Sequence, residues 1–335
     1  MTKNVRSREP IIRSDAMHDL NNSKPLISVI IPTYNREKML DECLKNVLSQ
    51  NYESVEIVVV DDNSTDNTEN LLRSYIATNA NIKYIKNKSN LNAGRSRNVG
   101  YRVSKGKYLV FLDDDDYYTD RDFFTKAIAI HQQFELAFVT ANASVLFSKT
   151  GKLVEDKINI EQKIAGFDYL TGFQTNYKKP LSTFTSVFNR ESLDKADFTN
   201  MVMMNDSAIY LRALLYGDAF VLADSVGVYR IHDSNITNNM KVDFIIDNLR
   251  EKMNIFERST QVYGSNGLGR HWLSTQFKSS LRNFFSSNKV SRGDIQKLIR
   301  FLSTAGKAVE INLWIYLIAL TLKHLVKGSY EKKVD

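Results

Sequence analysis

The sequence predicts an α/β protein whose mostly parallel sheet is covered by helices on both faces. Between residues 26 and 112, short apolar segments rich in β-branched residues alternate with amphipathic segments of helical period. Such alternation is typical of parallel strands joined by crossover helices. Polar clusters follow three of the strands, at residues 32–36, 61–66 and 113–116. Because ligands bind beyond the carboxyl ends of parallel strands, these clusters predict a ligand site.

The first strand and helix have the clearest signals. Residues 26–31 (LISVII) predict a short buried strand that ends at Pro32, because proline donates no ladder hydrogen bond. Asn35 is expected to cap the next helix. Apolar residues recur on one face of that helix: Met39, Leu40, Cys43, Leu44, Val47 and Leu48. Cys43 is therefore interpreted as a core residue rather than a nucleophile.

The following segments continue the alternation. Residues 55–60 (VEIVVV) predict a second buried strand. After a turn comes a helix in which Asp66 and Glu69 have the spacing of a capping box. Three further elements complete the series: a weaker strand over 82–85, a helix that begins near Ser96, and a strand over 108–112 (YLVFL).

Composition restricts the chemistry that this chain can perform. Its 335 residues are 43% hydrophobic and 25% charged, which is typical of a globular protein. Cys43 is the only cysteine, which excludes an internal disulfide and a cysteine zinc site. The five histidines stand far apart, which excludes an HExxH metal helix. Any metal site must therefore depend mainly on carboxylates.

Positive charge is concentrated towards the C-terminus. The net charge is +7, but residues 241–335 hold 16 Lys and Arg against 8 Asp and Glu, so the first 240 residues sum to −1. The C-terminal segment is helix-rich by pattern. Three roles stay open for it: binding an acceptor carrier, contacting a membrane through its basic helices, or contacting a second subunit of a homo-oligomer.

Two segments bear on localisation. The apolar run at 313–322 (LWIYLIALTL) has about half of the roughly 20 residues that span a bilayer. It is interpreted as a buried core helix, with a helix in the membrane interface as the alternative. Residues 1–24 are polar and lack the apolar core of a signal peptide. A cytoplasmic protein is expected, with peripheral contact at the inner face of the membrane as a further option.

The run of four aspartates at residues 113–116 is the strongest chemical signal. Taken alone, it is typical of a solvated turn or a helix cap. Here it directly follows a buried strand, so the carboxylates are held together and repel one another unless a cation lies among them. Mg²⁺ and Mn²⁺ prefer oxygen ligands, and Mg²⁺ commonly shares carboxylates with substrate phosphates. The run therefore predicts a divalent metal bridged to a diphosphate.

Four segments in this order resemble the nucleotide-sugar half of a family 2 glycosyltransferase with the GT-A fold: SVIIPTYNRE (28–37), VVVDDNSTD (58–66), NLNAGRSRN (90–98) and GKYLVFLDDDDYY (106–118). The resemblance implies a GT-A catalytic domain over 25–240, with a nucleotide-binding half (25–118) and an acceptor half (119–240). A polar extension (1–24) and a basic helical region (241–335) lie outside this domain.

The resemblance also implies which residues bind the donor. The loop after the first strand is implied to hold the uridine: Pro32, Thr33, Tyr34, Asn35 and Arg36. Asp62 matches the aspartate that accepts a hydrogen bond from the uracil ring N–H, with Asp61 as its structural partner, and Arg97 matches an arginine near uracil or phosphate. The alternatives are that Tyr34 is a packing residue and that Asp61 and Asp62 cap the next helix. Asn92 and Gly94 depart from the family pattern, which commonly has glycine and serine at these positions.

Asp113 and Asp115 match the DxD motif of the family. The resemblance implies that Asp115 binds the metal, Mn²⁺ or Mg²⁺, and that Asp113 contacts the ribose directly or through water. Asp114 is the variable middle residue of the donor site, and Asp116 lines the donor sugar. Four identical residues leave open a shift of these roles by one position.

Three residues of the second half complete the implied site. Asp206 matches the aspartate that acts as general base in inverting relatives, although Asn205 stands where the family has glutamate. A helix N-cap is the alternative for Asp206. The segment VYRIH (228–232) resembles the family's Y-R-x-H. It implies that Arg230 contacts the diphosphate and that His232 is a metal ligand or diphosphate donor, with a structural histidine as the alternative.

The implied reaction transfers a hexose or N-acetylhexosamine from a UDP-sugar to a hydroxyl of a glycan, either a cell-surface polysaccharide or a lipid-linked or teichoic-acid-like acceptor. Single displacement inverts the anomeric centre. The QxxRW motif of processive relatives is absent, so one sugar per encounter is expected. The alternative is a UDP-, nucleic-acid- or membrane-binding module in which aromatic residues stack on bases, namely Trp272, Phe284, Phe285 and Phe301. No nucleic-acid motif accompanies them, so nucleic acid is not an expected partner.

Overall fold

The computed structural model describes residues 24–232, 240–288, 290–305 and 310–331. The predicted polar extension 1–24 therefore lies outside the described residues, except for Lys24. Within the described residues, one sheet contains ten strands. Their bounds are β1 Ile27–Thr33, β2 Val55–Asp61, β3 Ile82–Lys86, β4 Tyr108–Phe111, β5 Tyr117–Tyr118, β6 Leu136–Phe147, β7 Lys152–Asp156, β8 Gln162–Ile164, β9 Ser186–Asn189 and β10 Asp218–Ile231.

The strand order is β3-β2-β1-β4-β9-β6-β10-β5, with β7 beside β6 and β8 beside β10. β1 to β4 are parallel, as the sequence predicts. Beyond β4 the sheet is mixed, because β9 runs antiparallel between β4 and β6 while β10 is parallel to β6. In the β1–β2 register Thr33 lies opposite Asp61, so the polar clusters after both strands meet at one edge of the sheet.

The helices that surround this sheet have the following bounds: α1 Glu37–Leu48, α2 Thr68–Thr78, α3 Ala93–Val103, α4 Phe123–Gln133, α5 Gly166–Gly172, α6 Arg190–Lys195, α7 Asp206–Leu214, α8 Val242–Tyr263, α9 Arg270–Ser287, α10 Arg292–Thr304 and α11 Ile311–Glu331. Alternate residues of β1 enter different cores. Val29 and Ile31 pack in the core that contains Cys43 of α1, and Ile30 packs in the core that contains α3 and the helices after α7. Helices thus cover both faces, and Cys43 is a buried core residue as predicted.

Two cap predictions are wrong, and one residue explains both. Asn35 does not cap α1: its φ is 52°, and its side chain accepts a hydrogen bond from the Thr65 N–H. The first N–H of α1, that of Glu37, donates instead to Asp66. Asp66 also accepts from the N–H and hydroxyl of Thr68, the first residue of α2, and therefore lies before that helix rather than in a capping box with Glu69.

Smaller differences concern boundaries. α3 begins at Ala93, not near Ser96, because the Asn92 side chain accepts from the Arg95 N–H as its cap. The predicted strand over 108–112 ends one residue earlier, at Phe111.

The C-terminal region is helical, as predicted, and its last helix, α11, is apolar on two sides. Leu313 and Leu317 of α11 are buried in the core, in agreement with the core-helix interpretation, whereas the opposite side of the helix is apolar and exposed. No helix of the described residues is both long and apolar enough to cross a membrane. The base-stacking alternative is wrong for three of its four aromatics, since Trp272, Phe284 and Phe285 are buried.

Candidate active site

The polar clusters at the ends of β1 and β4 contact one another directly. The hydroxyl of Thr33 donates to Asp114 Oδ2 at 2.7 Å. Arg36 Nη1 bonds Asp114 Oδ1 and Asp115 Oδ2, both at 2.8 Å. Burial raises the pKa of Asp114 to about 7, although the nearby Arg36 guanidinium opposes this shift. Asp114 is thus held by the loop after β1.

The other aspartates of the run converge on a single point. Asp113, Asp115 and Asp116 each offer a carboxylate oxygen, and these oxygens lie within 4.8 Å of one another. Burial, followed by the charges of Asp115 and Asp113, raises the pKa of Asp116 well above its ordinary value. Three partly or fully buried carboxylates with only oxygen donors fit a hard divalent cation, which would relieve their repulsion.

Arg97 joins this cluster to α7. It is buried, and its Nη2 bonds Asp113 Oδ1 at 2.5 Å and lies 3.9 Å from Asp206 Oδ1. Its Nη1 donates to the carbonyl of Met204 at 3.0 Å. Burial disfavours the charge, but the carboxylates of Asp113 and Asp206 outweigh it and raise the pKa of Arg97. One guanidinium therefore contacts both the predicted donor side and the residue predicted as base.

Asp206 is the first residue of α7, and its carboxylate is 26% exposed. The helix-cap alternative is wrong, because Asn205 caps α7 by accepting from the Ala208 N–H at 2.9 Å. Lys179 Nζ lies 3.9 Å from Asp206 Oδ2, whereas Arg97 lies near Oδ1 of the same carboxylate. The carboxylate is thus placed between two cations with one side open to solvent.

The residues predicted to hold the uridine lie beside the cluster. Pro32 and Thr33 are the last residues of β1, so the strand continues past the proline at which the sequence predicts its end. Tyr34 is 45% exposed, so the packing alternative is wrong. Asp61 accepts from the Ser64 N–H and the Tyr84 hydroxyl, and so is a structural residue, not a cap of α2.

Asp62 organises the loop before α3. Its carboxylate accepts from the backbone N–H groups of Leu91 and Asn92, each at 2.8 Å, and from the Asn87 amide at 2.9 Å. Asn92 has φ 76° and ψ 160°, a backbone conformation that glycine adopts readily and that is strained for any residue with a Cβ. Asn92 is held in this conformation by the bond from its N–H to Asp62 and by its side chain, which accepts from the Arg95 N–H.

Arg230 and His232 reach the cluster from the end of β10. His232 Nε2 lies 2.9 Å from Asp115 Oδ2, while the Arg230 backbone N–H donates to Asp116 Oδ1 at 3.2 Å. The Arg230 guanidinium lies 4.6 Å above the Tyr117 ring and bonds Glu42 of α1 at 2.8 Å. Their roles toward a metal and a diphosphate stay predictions.

Comparison with known proteins decides the family. The model of glycosyl transferase family 2 matches residues 28–198, just over half of the chain and including most of the residues described above. The chain is a family 2 glycosyltransferase. The glycosyltransferase GlyG of Streptococcus pneumoniae is 24% identical over 274 residues, 77% of this chain and 87% of that protein. The GalNAc(5)-diNAcBac-PP-undecaprenol beta-1,3-glucosyltransferase of Campylobacter jejuni is 26% identical over 214 residues, 62% of this chain and 65% of that protein.

Solved structures show the same fold. The crystal structure of TarS 1–349 from S. aureus in complex with UDP-GlcNAc aligns with a TM-score of 0.67 at 20% identity, covering 92% of each chain. This glycosyltransferase therefore has the GT-A fold with C-terminal helices, as the motifs imply.

Sequence reasoning missed several residues of the glycosyltransferase site. Lys179 lies beside Asp206, Ser182 lies 3.4 Å from Asp116, and Tyr117 lies under Arg230. Lys179 and Ser182 stand in a segment without a motif, more than sixty positions from the aspartate run, so no local pattern indicates them. Tyr117 directly follows the aspartate run, and this adjacency is the one sequence signal that could have indicated it as a site residue.

Proposed function

We propose that this protein is an inverting, non-processive glycosyltransferase that moves a hexose or N-acetylhexosamine from a UDP-sugar to a hydroxyl of a glycan acceptor. The observation that carries the proposal is the position of Arg97 between Asp113 and Asp206. It supports a site in which the donor diphosphate and the attacking hydroxyl are bound next to each other, as a single displacement requires.

The donor side of the proposal rests on the loop residues and the carboxylate cluster. The TarS structure of the same fold was determined with UDP-GlcNAc, which supports a UDP-sugar donor. Tyr34 is exposed and available to a uracil base, and Asp62 retains acceptor capacity on Oδ2, which receives one of its three hydrogen bonds. Arg36 and Arg97 supply positive charge beside the phosphates.

A divalent cation fits the carboxylate cluster. Asp113, Asp115 and Asp116 would hold Mn²⁺ or Mg²⁺, with His232 beside Asp115 as a further ligand or as a donor to the diphosphate. When bound, such a cation neutralises charge on the leaving diphosphate. The donor set supports the cation but does not distinguish manganese from magnesium, because both prefer carboxylate oxygens.

Asp206 is the proposed general base. Its carboxylate accepts the proton of the acceptor hydroxyl while that oxygen attacks C1 of the sugar, and UDP departs from the opposite face, so the configuration at C1 inverts. Arg97 and Lys179 lie on either side of Asp206 and keep its carboxylate oriented. Arg230 is placed to stabilise the charge on the departing diphosphate.

The acceptor is proposed to be a cell-surface polysaccharide or a lipid-linked or teichoic-acid-like glycan. The name of the Campylobacter jejuni relative contains an undecaprenol diphosphate acceptor, which supports a lipid-linked substrate. We also propose that the enzyme works in the cytoplasm, peripherally on the inner face of the membrane, through α11. Four large apolar residues form an exposed stripe on this helix: Ile311, Ile315, Ile318 and Leu322.

The test is a transferase assay with purified protein and a panel of UDP-sugars, in Mn²⁺, Mg²⁺ and EDTA. We expect UDP release with at least one donor, its loss in EDTA and its recovery on adding the metal. Absence of UDP release from every donor, together with retention on heparin or DNA, would instead favour the binding-module alternative.

Asp206→Asn tests the base. General-base catalysis contributes about 10² to 10⁴ in rate, so we expect transfer to fall by this factor while UDP binding by calorimetry stays unchanged. Asp168→Asn, an exposed aspartate of α5 in the same half of the protein, is the matched control and keeps wild-type rates. Transfer by Asp206→Asn at most of the wild-type rate would contradict the assignment.

A further inference from the structure

The segment that leads into α7, the helix that begins at Asp206, is held by hydrogen bonds from two other helices, α3 and α8. We call residues 196–205, which directly precede Asp206, the strap. From the donor side, α3 holds it through Arg97, which donates to the Met204 carbonyl at 3.0 Å, and through Asn98, which donates to the Thr199 carbonyl at 2.7 Å.

From the other side, the strap is held by α8 of the C-terminal region. Glu251 Oε2 accepts from the Val202 N–H at 2.8 Å, and its Oε1 accepts from Arg212 Nε at 2.6 Å. Arg212 lies on α7 and donates its Nη1 to the Ala196 carbonyl at 2.7 Å. At the start of the strap, Arg258 of α8 bonds Asp197 at 2.5 Å. The Arg212–Glu251 ion pair thus contacts the strap backbone at Ala196 and at Val202, and Arg212 itself belongs to α7, the helix that begins at Asp206.

This ion pair is almost completely removed from solvent. The side chain of Arg212 is 2% exposed and that of Glu251 is not exposed at all. Burying two charges costs free energy that their attraction barely offsets, and apolar replacements of buried pairs are often as stable or more stable. Stability alone is therefore a weak reason for this pair, whereas its remaining hydrogen bonds are all directed at the strap. We therefore interpret these hydrogen bonds as fixing the position of the strap backbone rather than as adding to the stability of the protein.

We propose that Glu251, together with Arg212 and assisted by Arg258, is a positioning residue for Asp206. The inference rests on the proposed role of Asp206 as base. A carboxylate that must meet an acceptor hydroxyl loses rate steeply when it is displaced by an ångström. The C-terminal helical region then serves catalysis through α8, in addition to any docking role of its other helices.

The test compares two neighbouring buried residues of α8. Glu251→Gln keeps the side-chain volume but removes the charge, and its single amide oxygen can accept from only one of the two donors, Arg212 Nε–H or the Val202 N–H. Lys252→Met is the matched control: Lys252 is also buried, but its Nζ bonds the Gln276 carbonyl and Ser280 of α9 and does not touch the strap. Both variants replace a buried ionisable side chain of α8, and only Glu251→Gln loses a contact with the strap.

We expect Glu251→Gln to lower kcat by about tenfold or more, with donor KM and UDP affinity unchanged, since a slight misplacement can cost up to about a hundredfold. Lys252→Met should keep the wild-type kcat. Hydrogen exchange measured by mass spectrometry should be faster across residues 197–206 in Glu251→Gln and unchanged in Lys252→Met.

A wild-type kcat in Glu251→Gln, or equal losses in both variants, would overturn the proposal. If Glu251→Gln is recovered unfolded, Arg258→Gln carries the test, because its pair with Asp197 is partly exposed. A lower kcat of Arg258→Gln at an unchanged donor KM supports the proposal, and a wild-type kcat of this variant contradicts it. An inactive wild type or an active Asp206→Asn identifies failure of the proposed function instead, and the exchange measurement still reports whether Glu251 holds the strap.

Discussion

Arg97 shows how a single residue can couple two parts of an active site. A buried guanidinium is costly unless its charge is paired, and here Asp113 and Asp206 supply that pairing, both at Nη2. The same bonds constrain both carboxylates, since a shift of either one exposes a charge that the protein must compensate. The cluster at the end of β4 and the start of α7 are therefore expected to move together.

His131 makes stability depend on pH, independently of the active site. It is a buried residue of α4 whose Nε2–H donates to the Val187 carbonyl at 2.9 Å, and burial lowers its pKa to about 4. An unfolded histidine titrates near 6.5. Between these two values the unfolded chain binds more protons than the folded chain, so stability falls as pH falls through this window.

The expected loss attributable to His131 is about 2 to 3 kcal/mol between pH 7 and pH 4.5. Urea unfolding of wild type and His131→Gln at both pH values measures it. Glutamine keeps a donor for the Val187 carbonyl but does not titrate, so the variant should lose less stability on acidification. Identical losses in the two proteins would show that His131 does not contribute.

At the scale of elements, the close approach of α3 to β1 depends on one glycine. A Cβ at Gly100 would lie 2.5 Å from Ile30 Cγ2 and 3.2 Å from Val60 Cγ2, both in buried strands. We expect Gly100→Ala to destabilise the protein by about 1 to 3 kcal/mol, because over-packing a dense core forces side chains and backbone to shift. Chemical denaturation monitored by circular dichroism measures this change.

Gly293 of α10 provides the control for helix propensity. A Cβ at this position would meet only Ser291 Oγ, at 3.6 Å. Gly293→Ala should therefore leave stability unchanged or raise it by up to about 1 kcal/mol. If the two alanine variants had equal stability, contact with Ile30 would not be what requires glycine in α3.

The elements that sequence reasoning predicted correctly are those with local causes. β1, β2 and β4 are uniformly buried and mostly apolar, and α1 has an apolar face, so their patterns are visible in short windows. The predicted Asn35 cap failed because the first N–H of α1 donates instead to Asp66, which is distant in sequence.

The same distinction applies to the site. The aspartate run, Arg97 and Asp206 stand in motifs, whereas Lys179 and Glu251 approach the site only through the fold. Within the run of aspartates itself, the four residues are identical, so the sequence does not indicate which of them has which role. The surroundings separate them, since Asp114 alone bonds Thr33.

At the scale of the whole molecule, charge and apolar surface coincide at the C-terminal end. The exposed stripe of α11 lies beside basic residues of α9: Arg282 bonds the Tyr316 hydroxyl at 3.2 Å and Lys278 lies 5.9 Å from the Tyr316 ring. An apolar stripe bordered by cations is complementary to an anionic lipid surface, where apolar side chains enter the interface and cations meet the headgroups. The nearly neutral remainder of the chain has no comparable excess of charge.

The double variant Ile315→Asp, Ile318→Asp tests this surface, because both residues are more than half exposed and their replacement leaves the core intact. We expect the wild type to co-sediment with vesicles that contain phosphatidylglycerol, more weakly at high salt, and not with phosphatidylcholine alone. The double variant should lose this binding while releasing UDP at the wild-type rate from a water-soluble acceptor. Ile76→Asp, at an exposed isoleucine of α2, should bind as the wild type does. A different result would show that the lipid assignment is wrong. In that case the wild type does not bind anionic vesicles and is a dimer by light scattering, whereas the double variant is a monomer. The stripe would then contact a second copy of the chain.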